Sequence, residues 1–258
     1  MNMQDDLRQR LARKPLLLMT HLVLGYPSFA VNREVIRQMA ENGVDCIELQ
    51  IPFSEPMADG PVLLKANQDA LAAGATVRGC MAFAAEMAQE YPQVHFLFMT
   101  YCNIAYRYGF AEFIRHSAEI GIKGFIIPDL PPEEGADYLR LAKEHSLAAV
   151  MFFTPTSSEA RMTAVAKEGG GFIYCVARKG VTGQHTEVDE SLAAYLARCR
   201  AATDLPLAVG FGIASREDVA MLEGKADMAV IGTATIKLVE REGAAAVGPF
   251  IRSLSPRC

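Results

Sequence analysis

The chain has 258 residues, 51% hydrophobic and 21% charged, which is enough apolar material for a large core and excludes disordered and collagen-like proteins. Its formal net charge of -5, without any basic run, argues against nucleic acid or an acidic membrane surface as a partner. The expected ligand is therefore a small molecule.

The cysteine, histidine and hydropathy patterns argue against a metalloprotein, a membrane protein and a secreted protein. The six cysteines form no CxxC pair and the five histidines show no metal-ligand spacing, so we expect small buried thiols and no metal site. No apolar run is long enough to cross a bilayer, and residues 1–14 lack the hydrophobic centre of a signal peptide. These features favour a cytoplasmic protein.

A leading helix is predicted within residues 1–14, over Asp5–Ala12, and eight strands follow, each with at least one helix after it. The predicted strands are Pro15–Val23, Val44–Ile47 continuing to Gln50, Val94–Thr100, Lys123–Ile127, Ala148–Phe153, Gly171–Val176, Leu205–Val209 and Asp227–Ile231. The predicted helices are Ser28–Asn42, Leu63–Ala73, Val77–Tyr91, Phe110–Ile120, Pro132–Glu144, Ser158–Glu168, Glu190–Ala201, Ser215–Leu222 and Thr233–Glu242.

This alternation predicts the fold class. Continuous apolar strands without polar alternation are typical of a parallel sheet covered by helices. Eight such units in one chain of this length match a (β/α)8 barrel, whereas an open doubly wound sheet more often has five or six strands. No linker or low-complexity stretch marks a boundary, so the prediction is an α/β protein with a single TIM-barrel domain over residues 1–258 and an extra N-terminal helix.

Two carboxylates stand out around the second strand. Alternation along that strand places Glu48 on its inner face, where a carboxylate is costly unless it is paired or has a chemical role. Prolines at 52, 56 and 61 predict an ordered loop that returns Asp59 over the strand end. The alternatives are an ion pair for Glu48 and a simple turn cap for Asp59.

Three glycine-bearing turns follow the last three strands, at Gly180–Gly183, Gly210–Gly212 and Gly232–Thr233. Glycine allows the backbone to approach a ligand closely, and the first N–H groups of a helix are free donors. Any one of these turns could be only a tight turn, but together they predict a phosphate site at the loops where barrels of this kind recurrently hold phosphate. Tyr174 and Phe211 would form aromatic walls between phosphate and carboxylates.

Two carboxylates without metal ligands or a Ser–His pair favour proton transfer, and hence a lyase or an isomerase. The alternative is a Schiff-base aldolase, which requires a desolvated lysine. Its nearest candidate is Lys179, which follows Arg178 in a loop that is predicted to be solvated.

Eight segments in a fixed order along the chain carry a family pattern. They are Glu48-Leu49-x-Ile51-Pro52-Phe53-Ser54-x-Pro56-x-Ala58-Asp59-Gly60-Pro61, Ala66-Asn67, Ala72-Ala73-Gly74, Tyr101-Cys102-Asn103, Pro128-Asp129-Leu130-Pro131, Arg178-x-Gly180-Val181-Thr182-Gly183, Gly210-Phe211-Gly212-Ile213 and Gly232-Thr233. Through these segments the sequence resembles the tryptophan synthase alpha subunit family over nearly its whole length.

The resemblance implies a barrel that cleaves indole-3-glycerol phosphate to indole and glyceraldehyde 3-phosphate without a cofactor of its own. Glu48 would protonate indole C3 and help to deprotonate the glycerol hydroxyl, and Asp59 would hold the indole N–H. Tyr174 would line the site near Glu48. The phosphate and substrate contacts implied by the resemblance are Thr182, Gly183, Phe211, Gly212, Gly232 and Thr233.

The resemblance also implies a partner, a pyridoxal-phosphate beta subunit that receives indole in an alpha-beta-beta-alpha heterotetramer. Loops after strands two, three and four would supply the contact, including Pro52, Pro56, Asn103 and Asp129, which could equally be simple turn formers. The loop over residues 178–188 is expected to close over the substrate.

The chain departs from the family pattern at several positions. Gln50 stands where the family has Gly, and His21 stands where an apolar or aromatic residue lines the indole pocket. Glu55 replaces an Asp in the partner-facing loop, and Lys179 replaces a small residue. His21 and Gln50 are therefore candidate substrate contacts or satisfied wall groups.

These departures keep two alternatives open. One is a diverged or stand-alone lyase for a related aryl-glycerol phosphate. The other is a partner-activating subunit with weak chemistry, in which Gln50 hydrogen-bonds Glu48 and shifts its proton affinity.

Overall fold

The computed structural model describes residues 2–177, 185–210 and 212–255, with the backbone alone for 185–190. Eight parallel strands form a closed barrel in which each strand pairs with the next and the eighth pairs with the first. The predicted (β/α)8 class is therefore confirmed. The strands are β1 (Leu17–Val23), β2 (Cys46–Gln50), β3 (His95–Met99), β4 (Gly124–Ile126), β5 (Ala148–Phe153), β6 (Ile173–Val176), β7 (Leu207–Gly210) and β8 (Met228–Ile231).

Helices surround the barrel on its outer side, and within the described residues none is long and apolar enough to span a bilayer. They are α1 (Met3–Leu11), α2 (Phe29–Glu41), α3 (Pro61–Ala72), α4 (Val77–Glu90), α5 (Cys102–Tyr108), α6 (Phe110–Glu119), α7 (Ala136–Glu144), α8 (Glu159–Glu168), α9 (His185–Ala202), α10 (Arg216–Ala220), α11 (Thr233–Glu242) and α12 (Val247–Leu254).

Four of these helices differ from the sequence prediction by four residues or more. Helix α7 begins at Ala136 and not at Pro132, because residues 132–134 form a turn. Helix α5 was expected to be a loop, and it begins where the Asp129 carboxylate accepts a hydrogen bond from the N–H of Cys102. Helix α12 was not predicted, because Gly248 and Pro249 interrupt its apolar spacing; proline is tolerated in a first turn. Helix α9 begins at His185, so the last residues of the predicted 178–188 loop are helical, and residues 178–184 lie outside the described part of the chain.

The barrel interior changes character from one end to the other. Most side chains that point inward from the amino-terminal half of the strands are apolar. They include Leu17, Met19, Cys46, Leu97 and Val150. His95 on β3, in register with Cys46, is a buried polar exception whose ring hydrogen-bonds the Asp6 carboxylate of α1 at 2.6 Å. The next inward positions on β1 and β2, toward the carboxyl ends of the strands, are His21, Glu48 and Gln50, all of them buried. His21, Glu48 and Gln50 thus form a buried polar group at the carboxyl ends of the first two strands.

Helix α1 covers the opposite end. Its buried residues Met3 and Leu7 pack against the interior cluster. The buried carboxylate of Asp45 accepts hydrogen bonds from the N–H of Leu18 at 3.1 Å and from Lys14 Nζ at 2.8 Å, and Arg10 approaches it at 3.5 Å. This cluster joins the segment after α1 to the first two strands.

Replacement of Asp45 by alanine is expected to lower the free energy of unfolding by about 2–4 kcal/mol, because it leaves the buried Leu18 N–H without its acceptor and Lys14 without its carboxylate, whereas Arg10 keeps Asp6 at 2.6 Å. Urea unfolding followed by circular dichroism measures the change. The control is Glu119→Ala, which removes the exposed partner of Arg115 and is expected to cost less than about 1 kcal/mol. Equal effects of the two substitutions would contradict the role given to Asp45.

Candidate active site

Glu48 lies at the polar end of the barrel interior. Its residue pairs in register with His21 on β1 and Leu97 on β3, and it is 3% exposed. Among the described residues its Oε1 atom has no hydrogen-bond partner, and no Lys or Arg forms an ion pair with it. Burial raises the pKa of Glu48 to about 8, and the negative charge of Asp59 adds to the rise. Glu48 therefore carries a proton at neutral pH, which argues for a chemical role over an ion pair.

Asp59 returns over the end of β2, as the prolines predicted. Its Oδ2 atom accepts a hydrogen bond from Gln50 Nε2 at 2.7 Å and another from the Tyr101 hydroxyl at 3.2 Å. Helix α3 begins after Gly60 without a side-chain cap, so Asp59 does not serve as its N-cap. Its carboxylate is directed to the barrel and contributes to the pKa shift of Glu48.

Tyr101, at the start of α5, is a site residue that the sequence reasoning missed. Its hydroxyl accepts a hydrogen bond from the N–H of Ala58 at 3.0 Å while donating to Asp59, and its ring stacks on Phe53 at 5.1 Å between centroids. Burial and the charge of Asp59 raise the pKa of Tyr101, so the hydroxyl keeps its proton. The available signal was its place directly after β3, at the same barrel end as Glu48.

His21 and Gln50 both lie in the site, beside Glu48. Burial lowers the pKa of His21, against the opposing effects of the Asp59 charge and the Gln50 side chain, so the imidazole is neutral at neutral pH. Its Nδ1 atom has no partner among the described residues. Gln50 donates to Asp59, which differs from the hypothesis that it hydrogen-bonds Glu48.

Tyr174 is the second residue of β6, across the barrel from β2 and Glu48. Burial raises its pKa, and the charges of Glu48 and Asp59 add to the rise, which places its hydroxyl in their electrostatic reach. Its ring packs on Phe152, with 5.5 Å between centroids. A Cβ atom at Gly210 would meet the Tyr174 hydroxyl at 3.1 Å, so glycine at this position makes room for the tyrosine.

Two glycines shape the backbone after β7 and β8. Gly212 has φ +86°, a conformation that favours glycine, and Gly232 precedes α11 without a side-chain cap. Among the described residues, a Cβ atom at either position would meet no heavy atom within 4 Å, so both glycines border space that those residues leave open. The first turn of α11, from Thr233, presents N–H groups at the positive end of a helix, which suits an anion. Thr182, Gly183, Phe211 and Lys179 lie outside the described residues.

Similarity to known proteins decides the family. The family model described as tryptophan synthase alpha chain matches residues 7–249. The chain belongs to the tryptophan synthase alpha chain family.

Individual relatives agree with this assignment. The tryptophan synthase alpha chain of Desulfotalea psychrophila is 58% identical over 98% of this chain and 100% of its own length. That of Desulforapulum autotrophicum is 53% identical over 96% and 98%. Among solved structures, tryptophan synthase subunit alpha from Legionella pneumophila superimposes with a TM-score of 0.89 at 29% identity, covering 98% of this chain and 97% of that chain.

Tryptophan synthase alpha chains are lyases that cleave indole-3-glycerol phosphate, so the predicted resemblance and the predicted lyase class are both confirmed. Within the described residues, no three His, Cys, Asp or Glu side chains form a group that could hold a metal ion. The site therefore presents proton-transfer groups at one end of a barrel whose family performs carbon–carbon cleavage.

The predicted partner contacts occupy different environments. Asn103 and Asp129 are exposed, whereas Pro52 and Pro56 are buried within the loop after β2. The same rim carries Met57, which is 82% exposed.

The raised pKa of Glu48 predicts a specific pH dependence of stability. The folded chain retains a proton that the unfolded chain releases above pH 4.5, so the contribution of Glu48 is complete below that pH and is lost as pH rises toward 8. Relative to Glu48→Gln, the wild type should lose up to about 1.4 kcal/mol of unfolding free energy per pH unit in this interval. Urea unfolding of both proteins from pH 5 to 8 tests this, and parallel curves would contradict the shifted pKa.

Proposed function

We propose that this chain cleaves indole-3-glycerol phosphate with Glu48 as its acid and base and Asp59 as the group that holds the ring nitrogen. The observation that carries the proposal is a buried Glu48 carboxyl that retains its proton at neutral pH beside the charge of Asp59. A neutral acid and a carboxylate at one end of the barrel are the two groups that a retro-aldol cleavage of this substrate requires.

In the proposed reaction Glu48 gives one proton and later takes up another. Its proton passes to C3 of the indole ring, which leaves a positive charge shared with the ring nitrogen, and the Asp59 carboxylate stabilises that charge. The Glu48 carboxylate then takes the proton of the hydroxyl on the carbon attached to C3. The bond between that carbon and C3 breaks, its electrons restore the aromatic ring, and the carbon becomes the aldehyde of glyceraldehyde 3-phosphate.

The substrate's phosphate is proposed to lie against Gly212, Gly232 and Thr233, with Thr182, Gly183 and Phe211 completing its surroundings. The support is the open space beside both described glycines and the free end of α11, a helix of ten residues. Tyr174 would separate this end from Glu48. Closure of the loop over residues 178–188 and a neutral His21 in the wall of the ring pocket belong to the same proposal.

The beta subunit of tryptophan synthase is the proposed partner, in an alpha-beta-beta-alpha heterotetramer in the cytoplasm. Pyridoxal phosphate would belong to that subunit, and this chain, as one domain over residues 1–258, would use no cofactor of its own. The support is a rim with the exposed side chains of Met57, Asn103, Tyr106 and Asp129, in which Tyr106 is 68% exposed. Exposed apolar side chains beside a site are typical of an interaction surface.

Two alternative functions are supported only by the polar side chains of His21 and Gln50. A related aryl-glycerol phosphate would place its own polar group against their unpartnered atoms, Nδ1 and Oε1. A partner-activating subunit with weak chemistry would bind the beta subunit without cleaving substrate in the complex. Assays with and without beta subunit distinguish these functions from the proposed one.

Replacement of Glu48 by glutamine is expected to lower the rate of indole formation by about 10²- to 10⁴-fold, because the amide can neither give nor take the transferred proton. The measurement is indole release from indole-3-glycerol phosphate, with and without a beta subunit. Glu144→Gln, an exposed position at the end of α7, is the control and should retain the full rate. Unchanged indole release by the Glu48 variant would refute the assignment.

Replacement of Tyr106 by aspartate is expected to weaken binding of the beta subunit by about tenfold or more, because it places a charge where an exposed aromatic ring would be buried. Isothermal titration calorimetry measures the affinity. Leu71→Asp changes an exposed apolar residue near the far end of α3 and should leave it unaltered. Equal affinities for the Tyr106 variant and the wild type would exclude this rim as the interface.

A further inference from the structure

We propose that Gln50 is a positioning residue that fixes the Asp59 carboxylate for the nitrogen of the substrate ring. This inference rests on the proposed function, in which Asp59 accepts a hydrogen bond from that nitrogen.

Gln50 lies in a regular strand, whereas Asp59 does not. Gln50 is the last residue of β2, fully buried, and pairs in register with Val23 on β1 and Met99 on β3. Asp59 lies in the segment between β2 and α3, which forms neither helix nor strand. The direction of its carboxylate therefore depends on side-chain bonds.

Both described bonds to the carboxylate end on the same oxygen. Gln50 Nε2 lies 2.7 Å from Oδ2, and the Tyr101 hydroxyl lies 3.2 Å from it. The amide of Gln50 thus makes the shorter contact, from a regular strand. Two donors on Oδ2 restrict rotation of the carboxylate and leave Oδ1 as the oxygen that can accept from a ligand.

The second half of the Gln50 amide argues against a merely structural role. Its Oε1 atom is buried and accepts no hydrogen bond of good geometry among the described residues, although the Gln50 side chain is near enough to His21 to oppose the effect of burial, which lowers the pKa of that imidazole. A buried acceptor without a partner lowers stability, so an apolar side chain of similar length would serve better as filling. The exchange of the amide oxygen and nitrogen would place Oε1 against the Asp59 oxygen, so the carboxylate itself fixes the orientation of the amide.

The test uses Gln50→Met, which keeps the length of the side chain and removes the donor. The probes are 3-(indol-3-yl)propyl phosphate and its benzothiophene counterpart, which has the same shape but no N–H group. We expect wild type to bind the indole compound about 10- to 100-fold more tightly and the variant to bind both nearly equally. Calorimetric titration measures both affinities, and the free energy of unfolding of the variant should be no lower than that of wild type.

Steady-state kinetics give an independent readout. If Gln50 acts through Asp59, Gln50→Met lowers kcat for indole-3-glycerol phosphate by about 10-fold or more, because the developing ring charge loses its oriented partner. Gln50→Leu, which also removes the donor and adds no ionisable group beside Asp59, should show the same loss of preference for the N–H ligand. It serves as the second variant if the methionine variant does not fold.

The outcomes separate this inference from the proposed function. If wild type binds the two phosphates equally, Asp59 does not hold the ring nitrogen, and the proposed function of that residue fails. If wild type prefers the indole compound and the Gln50 variants keep the same preference, the proposed function stands and the role of Gln50 is wrong. A preference lost in the variants, with stability retained, supports both.

Discussion

The burial of one carboxyl group governs the chemistry of this site. Glu48 continues an inward row of apolar side chains, and the cost of placing a charge there raises its pKa to about 8. Its proton is therefore retained by the general apolar environment of the barrel, with no positively charged partner among the described residues. The same burial that makes Glu48 a neutral acid makes its conjugate base strong, so one residue can serve at both stages of a proton exchange.

The proposed role of Asp59 requires its carboxylate to face the same ligand as Glu48. Asp59 lies in an irregular segment whose course is fixed by hydrogen bonds at several points. The Asn67 side chain accepts a hydrogen bond from the N–H of Phe53 at 2.9 Å, and the Tyr101 hydroxyl accepts one from the N–H of Ala58. The Gln50 side chain donates a hydrogen bond to the Asp59 carboxylate. The negative charge of Asp59 raises the pKa of Glu48 further. The two acids are thus electrostatically dependent on one another, and the loop couples their roles.

The sequence carried enough information for all eight strands, because each is a continuous apolar run between turn residues, and for Glu48, because strand alternation puts it inside. It could not reveal the partner of Gln50, since that contact depends on the path of a loop with three prolines. Helix α5 and its Tyr101 were missed for a related reason: the first helical N–H is satisfied by Asp129, 27 residues further along the chain. Long-range side-chain contacts of this kind leave no local pattern.

Helix α1 makes the two ends of the barrel different. Met3 and Leu7 close the end of the interior that lies away from Glu48, and the Asp45 cluster fastens that closure. No ligand can pass through the barrel from one end to the other, because these side chains fill its α1 end. The reactant therefore approaches Glu48, and the ring leaves it, at the end of the barrel formed by the carboxyl ends of the strands, which is where a protein that receives the ring has to bind.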